Sequence, residues 1–337
     1  MFGVYRVFLA LMVVAYHLGG YGLMGAYAVF GFYALSGYLM TLIMHKNYGY
    51  TLSGSRKYAL NRFLRIYPIY WISILSSALL IWALGSAVTT DYHHAIFLPT
   101  TFTQWVRNIG LIFSSSNLPR MTPPAWALTI ELVFYGFIGI GLSRNKHATV
   151  VWFLISVIYH ACALYFSWGW HHRYFTVFAA SLPFSTGALI YHYKAQLLPK
   201  AERTDGSLAA YMPYIFAALI FGNWLLGYTF GHGRDVFFYS NYLLCSCMIL
   251  ILADKKSLPL ISKKLDSWIG DFSYPIYLFH YQVGLFVIVL FEPLGIALQR
   301  KDLSLLLLSI PFIFLFSWLV SYSVERPIEH IRARIKA

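Results

Sequence analysis

The sequence predicts an all-α polytopic membrane protein of about ten transmembrane helices, and three observations carry that expectation. Of its 337 residues, 59% are hydrophobic and only 11% charged, whereas about a quarter of a soluble domain is charged. The apolar residues come in runs, ten of which approach the roughly 20 residues needed to cross a hydrocarbon core. Lys and Arg are divided unequally between alternate connections.

The runs lie at about 4–23, 25–45, 67–88, 125–142, 148–168, 174–193, 209–228, 236–253, 269–291 and 303–323, so that residues 1–337 read as one membrane domain. The segment 89–124 is too long for a tight turn and partly apolar; it is expected to be re-entrant or to lie along the surface. On one side of the ten runs fall 19 of the 25 basic residues, among them Arg6, Arg62, Arg65, Lys200 and Arg203. The other side holds Arg107, Arg120, Arg173, Arg234, Arg300 and Lys301. The positive-inside rule therefore puts both termini in the cytoplasm. It also accounts for the net charge of +13 through loops facing anionic membrane lipids, and no nucleic-acid partner is expected. The first run passes Gly19 and Gly20 without a small-residue cleavage pattern, so it reads as a span and not as a signal peptide. Cys162, Cys245 and Cys247 all sit in apolar segments, which argues against a disulfide framework or a zinc cluster. The adjacent pairs His93-His94 and His171-His172 would diverge on a helix, and no metal is expected.

Ionisable groups inside the runs point to chemistry, because burying them in a bilayer is costly. His17 interrupts "YRVFLALMVVAYHLGG" eleven residues after Arg6. That spacing is roughly 16 Å of helix and returns to nearly the same face. The plainer alternative is a polar group packing one helix on another. Glu131, in "PPAWALTIELVFYGF", lies about 9 Å into the fourth run, at a depth similar to that of His17. An imidazole and a carboxylate at matching depth suit a general-base pair, the carboxylate fixing the tautomer; a structural pairing of Glu131 with a basic residue is the alternative. In "RKYALNRFLRIYPIYW", Arg62 and Arg65 are three apart and share a helix face, and Pro68 is expected to set the entry into the third span. With Arg6 they suit bidentate phosphate binding, or else they snorkel to lipid headgroups. Arg56 and Lys57 read as lipid anchors.

Six segments, in order, carry a resemblance: the Arg6-to-His17 spacing, "GFYALSGYLM", "NRFLRIYP", "WALTIELVFY", "DFSYPIYLFHY" and "SYSVERPIEH". Together they resemble the acyltransferase-3 family of integral-membrane O-acyltransferases over nearly the whole chain. The resemblance implies transfer of an acyl group, most often acetyl, from cytoplasmic acyl-CoA (acetyl-CoA) to a hydroxyl of a cell-surface glycan or its lipid-linked saccharide precursor, in a bacterial inner membrane. Under it, His17 is the base and Glu131 its partner. Arg6, Arg62 and Arg65 hold the donor's phosphates. Ser36, Tyr33 or Tyr274 donates a hydrogen bond to the tetrahedral oxyanion, Ser36 and Tyr33 being placed with the donor and Tyr274 and His280 with the acceptor. His280 also lies about 18 Å into the ninth run, near the depth of His17, and a plain packing role is its alternative. A transient acyl-histidine ranks second. Glu325 and Arg326 suit a salt link between helices as well as a ligand contact. Tyr38 follows Ser36-Gly37 where Phe is more common in the family, and the chain is expected to lack the SGNH-type hydrolase domain of longer members. The alternative class is a transporter or channel, which would be expected to show internal repeats; 1–168 and 169–337 show none.

Overall fold

The computed structural model describes residues 1–113, 118–198, 207–231 and 234–336. It is 80% helical, with no strands among the described residues. In chain order the helices are α1 (Gly3–Gly19), α2 (Met24–Ile43), α3 (Leu52–Leu84), α4 (Ser86–Tyr92), α5 (Phe102–Gly110), α6 (Ala125–Gly139), α7 (Lys146–Tyr165), α8 (Trp170–Tyr174), α9 (Val177–Leu197), α10 (Ser207–Phe230), α11 (Arg234–Leu252), α12 (Lys263–Gly270), α13 (Ser273–Phe291), α14 (Leu303–Val320) and α15 (Arg326–Lys336). Among the described residues, eight helical stretches are long and apolar enough to cross a membrane, and two shorter apolar helices, Gly3–Gly19 and Ala125–Gly139, occupy the first and fourth expected spans. The protein is thus an all-α polytopic membrane protein. Large apolar side chains left exposed, such as Trp82, Ile140, Tyr165 and Phe221, suit contact with lipid.

Two local expectations change. The third span is the later part of a 33-residue helix that begins at Leu52, and Pro68 sits inside it, not at its entry. Helix continues upstream because "LSGSRKYALNRFLR" holds no breaker beyond Gly54, and membrane helices tolerate an internal proline. The described residues of the segment 89–124 contain the end of α4, the short α5 and irregular backbone. A reciprocal capping box starts α5: Thr101 Oγ1 accepts from Gln104 N, and the Gln104 amide oxygen accepts from Thr101 N. Lys200 and Arg203, which enter the charge count, lie outside the described residues.

The chain forms two compact units, interleaved in sequence. The first comprises 1–9, 22–59 and 133–270. Its helices meet by close approach. A Cβ at Gly37 of α2 would run into the Phe184 carbonyl of α9, and one at Gly187 of α9 into the Ala34 carbonyl of α2. Small residues therefore let these two backbones touch. The start of α1 packs on α12 similarly: a Cβ at Gly3 would strike the Asp266 carbonyl, while the Asp266 carboxylate accepts from Val4 N at 2.9 Å, serving an N-terminal donor that the helix leaves unpaired.

The second unit comprises 10–21, 60–132 and 271–337. Here α3 donates side-chain hydrogen bonds to the last turn of α5 and, through Ser77, to the irregular backbone after it. Tyr67, Tyr70 and Trp71 donate to the carbonyls of Gly110, Asn108 and Ile109 at 3.0, 2.6 and 3.0 Å. Ser77 donates to Met121 O at 2.6 Å and is joined to the Gln282 amide of α13 at 3.0 Å. Arg120, nearly buried and pushed down to about 10 by that burial, donates to Pro123 O at 2.6 Å and to Leu118 O at 2.9 Å. Non-helical backbone persists among membrane spans only where protein groups satisfy it, and Ser77 and Arg120 do so.

Candidate active site

His17 falls in the last turn of α1, where unpaired carbonyls favour a cation. Its Nδ1 lies 2.9 Å from His280 Nε2, and the two rings are stacked with centroids 5.1 Å apart and 6° between planes. His280, fully buried on α13, places its own Nδ1 2.8 Å from the Tyr277 carbonyl and 3.2 Å from that of Ile276. A carbonyl only accepts, so the network assigns the proton of neutral His280 to Nδ1. Its Nε2 must then accept, and the bond between the rings is donated by His17 Nδ1–H. The lone pair of neutral His17 is thereby assigned to Nε2, which has no hydrogen-bond partner among the described residues.

The group that orients His17 is thus a second imidazole and not the Glu131 carboxylate expected from the sequence. Glu131, half-buried on α6, stands within electrostatic reach of Tyr274 and Tyr277. Tyr277 donates to Pro124 O at 2.9 Å. Tyr274 donates its hydroxyl proton to Ile66 O of α3 at 3.0 Å. The His17–His280 contact spans 263 residues of sequence, and only the similar depths of the two residues hinted at it.

Arg62 and Arg65 lie on α3, in the same unit. Arg65 forms an ion pair with Glu325, which a π-helical turn, Ser321–Glu325, carries between α14 and α15. Arg62 donates to Asn61 Oδ1 at 2.7 Å, and the Asn61 amide donates to Arg332 O at 3.1 Å. The salt link expected of Glu325 is present, and its partner is Arg65. In the first unit, Tyr33 is buried with its ring stacked on Phe184 at 5.1 Å. Ser36 is half-buried one residue before Gly37, and Arg6 has its guanidinium where a Cβ on Gly270 would lie 2.7 Å from Nη2.

Aromatic and basic groups that the sequence reading left aside gather around His17. Tyr281 of α13 has its ring 4.8 Å from that of His17 and 4.8 Å from that of His93. Gly284, one turn along, leaves the room that Leu18 and the Tyr92 hydroxyl fill. His93 Nδ1 accepts from Ala95 N at 3.0 Å. Burial, and then the neighbouring Arg300 charge, hold His93 down at about 3; it is neutral near pH 7, with its proton on Nε2. Adjacent aromatic residues in "FHYQ" were the available signal, but no local pattern tells which ring meets His17.

With this geometry established, the comparison with protein families decides the class. The acyltransferase-3 family model, described as an acyltransferase domain, matches residues 3–324. The chain belongs to that family. Among curated proteins and solved structures, none matches it. Family membership makes this protein a membrane acyltransferase, and the His17–His280 pair belongs to the segments that carried the resemblance.

Proposed function

We propose that this membrane acyltransferase moves an acetyl group from acetyl-CoA to a hydroxyl of a cell-surface glycan or its lipid-linked precursor, with His17 as general base. The observation that carries the reading is the proton order along Tyr277 O, His280 and His17, which leaves a basic nitrogen at the end of a relay anchored on a backbone carbonyl. In the proposed reaction His17 Nε2 takes the hydroxyl proton while the acceptor oxygen bonds to the thioester carbon. The tetrahedral intermediate then collapses, the C–S bond breaks, and the proton passes to the departing sulfur. His280 keeps its own proton on Nδ1 and steadies the imidazolium through the ring–ring bond, the part a carboxylate plays in other base pairs.

Arg62 and Arg65 are proposed to bind the donor's phosphates. A guanidinium has five donors, so the Arg65–Glu325 pair can orient the fork while other N–H groups meet phosphate. Arg6, Tyr33 and Ser36 keep the donor-binding role that the family resemblance gives them, and both termini are placed in the cytoplasm of a bacterial cell with the protein in its inner membrane. Glu131, beside Tyr274 and Tyr277, is assigned a supporting electrostatic role.

The test is transfer of labelled acetyl from acetyl-CoA by purified protein to membranes bearing surface glycan precursors. Label appearing in a hydroxylamine-sensitive ester on the glycan, and absent with His17→Ala, is the expected result. Donor consumption that needs no acceptor, or label on wild-type His17 itself, refutes this mechanism.

A further inference from the structure

The charged groups that bear on His17, Arg300 and Lys301, are both cations. For a residue that gains a positive charge in the proposed reaction, such a setting opposes catalysis unless something supplies a countercharge. Arg300 is positioned to bring one. It is half-buried, with its guanidinium 5.8 Å from the centroid of the Tyr92 ring and 5.9 Å from that of Tyr281, the ring that also touches His17. Neither Arg300 nor Lys301 is ion-paired with a carboxylate among the described residues. The nearest acid in sequence, Asp302, caps α14 by accepting from Ser304 N at 3.2 Å.

The position of these two cations is fixed by backbone. Lys301 adopts φ +71°, a left-handed conformation that disfavours a residue bearing a side chain. Directly opposite, Gly20 has φ +77°, and a Cβ there would lie 2.9 Å from Lys301 Cβ and 3.0 Å from its carbonyl oxygen. The tight turn after α1 and the turn before α14 are thereby pressed together, and Arg300-Lys301 is held at the end of the helix that carries His17.

We infer that Arg300, with Lys301, binds an acid group on the acceptor, so that the hydroxyl to be acylated belongs to an anionic saccharide, a sugar phosphate or a uronate. The bound anion neutralises Arg300 and Lys301 and faces the imidazolium as it forms. This inference rests on the reading that the acceptor meets His17, but binding can be measured without donor or turnover, so the two fail separately.

The experiment measures the affinity of the purified full-length protein for glucose 1-phosphate, glucuronate and methyl glucoside, without acetyl-CoA. Wild type should bind at least one of the two anions about tenfold or more tightly than methyl glucoside, and the preferred anion identifies phosphate or carboxylate as the group recognised. Arg300→Gln should abolish the preference, Arg300→Lys should keep part of it, and Lys301→Gln should reduce it less. Should Arg300→Gln fail to fold, the Arg300→Lys and Lys301→Gln pair decides. Equal affinity for all three sugars in wild type, or a preference that these variants leave unchanged, overturns the inference. If the preference holds but acetyl transfer fails, the site stands and the reaction does not.

Discussion

The two units solve the same problem, packing helices whose surroundings offer no water, by opposite means. The first removes side chains: Gly37 and Gly187 bring α2 and α9 into backbone contact, and Gly3 does the same for α1 and α12. The second adds donors: Tyr67, Tyr70 and Trp71 serve carbonyls in the last turn of α5, and Ser77 and Arg120 serve carbonyls of irregular backbone. Regular helices satisfy their own peptide groups, so shape alone suffices to join them. Helix ends and irregular backbone need partners, and a unit already built from polar contacts can hold a histidine relay and an arginine at little further cost. The difference teaches that substitutions at the glycine contacts of the first unit should act on stability and those around His17 on turnover.

The most severe way to break that division is His17→Ala. Turnover should fall about 10²–10⁴-fold at saturating donor and acceptor, with thermal stability and acetyl-CoA affinity nearly unchanged; a protein that unfolds instead makes His17 a packing residue. His280→Ala should lower kcat on the order of tenfold or more, and it should also shift the pH–rate profile because the tautomer of His17 is no longer fixed. An unaltered profile would reduce His280 to a filler of space.

In the first unit, Gly37→Val should destabilise by about 1–3 kcal/mol, read as a lower unfolding temperature in detergent, while the molecules that remain folded keep normal turnover per active site. Tyr70→Phe tests the other style of packing. It leaves the Asn108 carbonyl without its 2.6 Å donor, at about 1–1.5 kcal/mol, and sharpens the contrast if the segment around Asn108 becomes protease-sensitive before the rest. The smallest effect belongs to Lys194→Gln, which removes the partly exposed Lys194–Asp254 pair of the first unit and should change stability by less than about 1 kcal/mol.

Much of this was legible in the sequence. Apolar runs located the spans, because bilayer thickness imposes a length on each segment. The cost of an ionisable group in a span singled out His17, and the spacing of Arg62 and Arg65 put both on one side of α3. What escaped were relations between distant segments. Depth along a helix can be read from residue counts, and it put His17, Glu131 and His280 at similar levels. Which helices are neighbours is decided by packing across the chain, and it gave His17 an imidazole from α13. Likewise Gly37 reads as a featureless part of "ALSGY" until α9 is laid against it. Pro68 misled for a related reason, since neighbouring segments can stabilise a helix that local propensity would interrupt.

The fixed tautomer of His17 also has a bearing on kinetic order. One ring nitrogen is committed to His280, so a single edge of the imidazole must meet both the alcohol that gives up a proton and the sulfur that later takes it. Donor and acceptor therefore have to occupy the enzyme together before any bond changes. Initial-rate plots against one substrate at several fixed levels of the other should intersect. Parallel lines would mean that acetyl leaves coenzyme A before the alcohol arrives. Free coenzyme A should also linger as an inhibitor competing for the same edge, so that the pace of product departure, rather than the bond-making itself, sets the ceiling on turnover when both substrates are abundant.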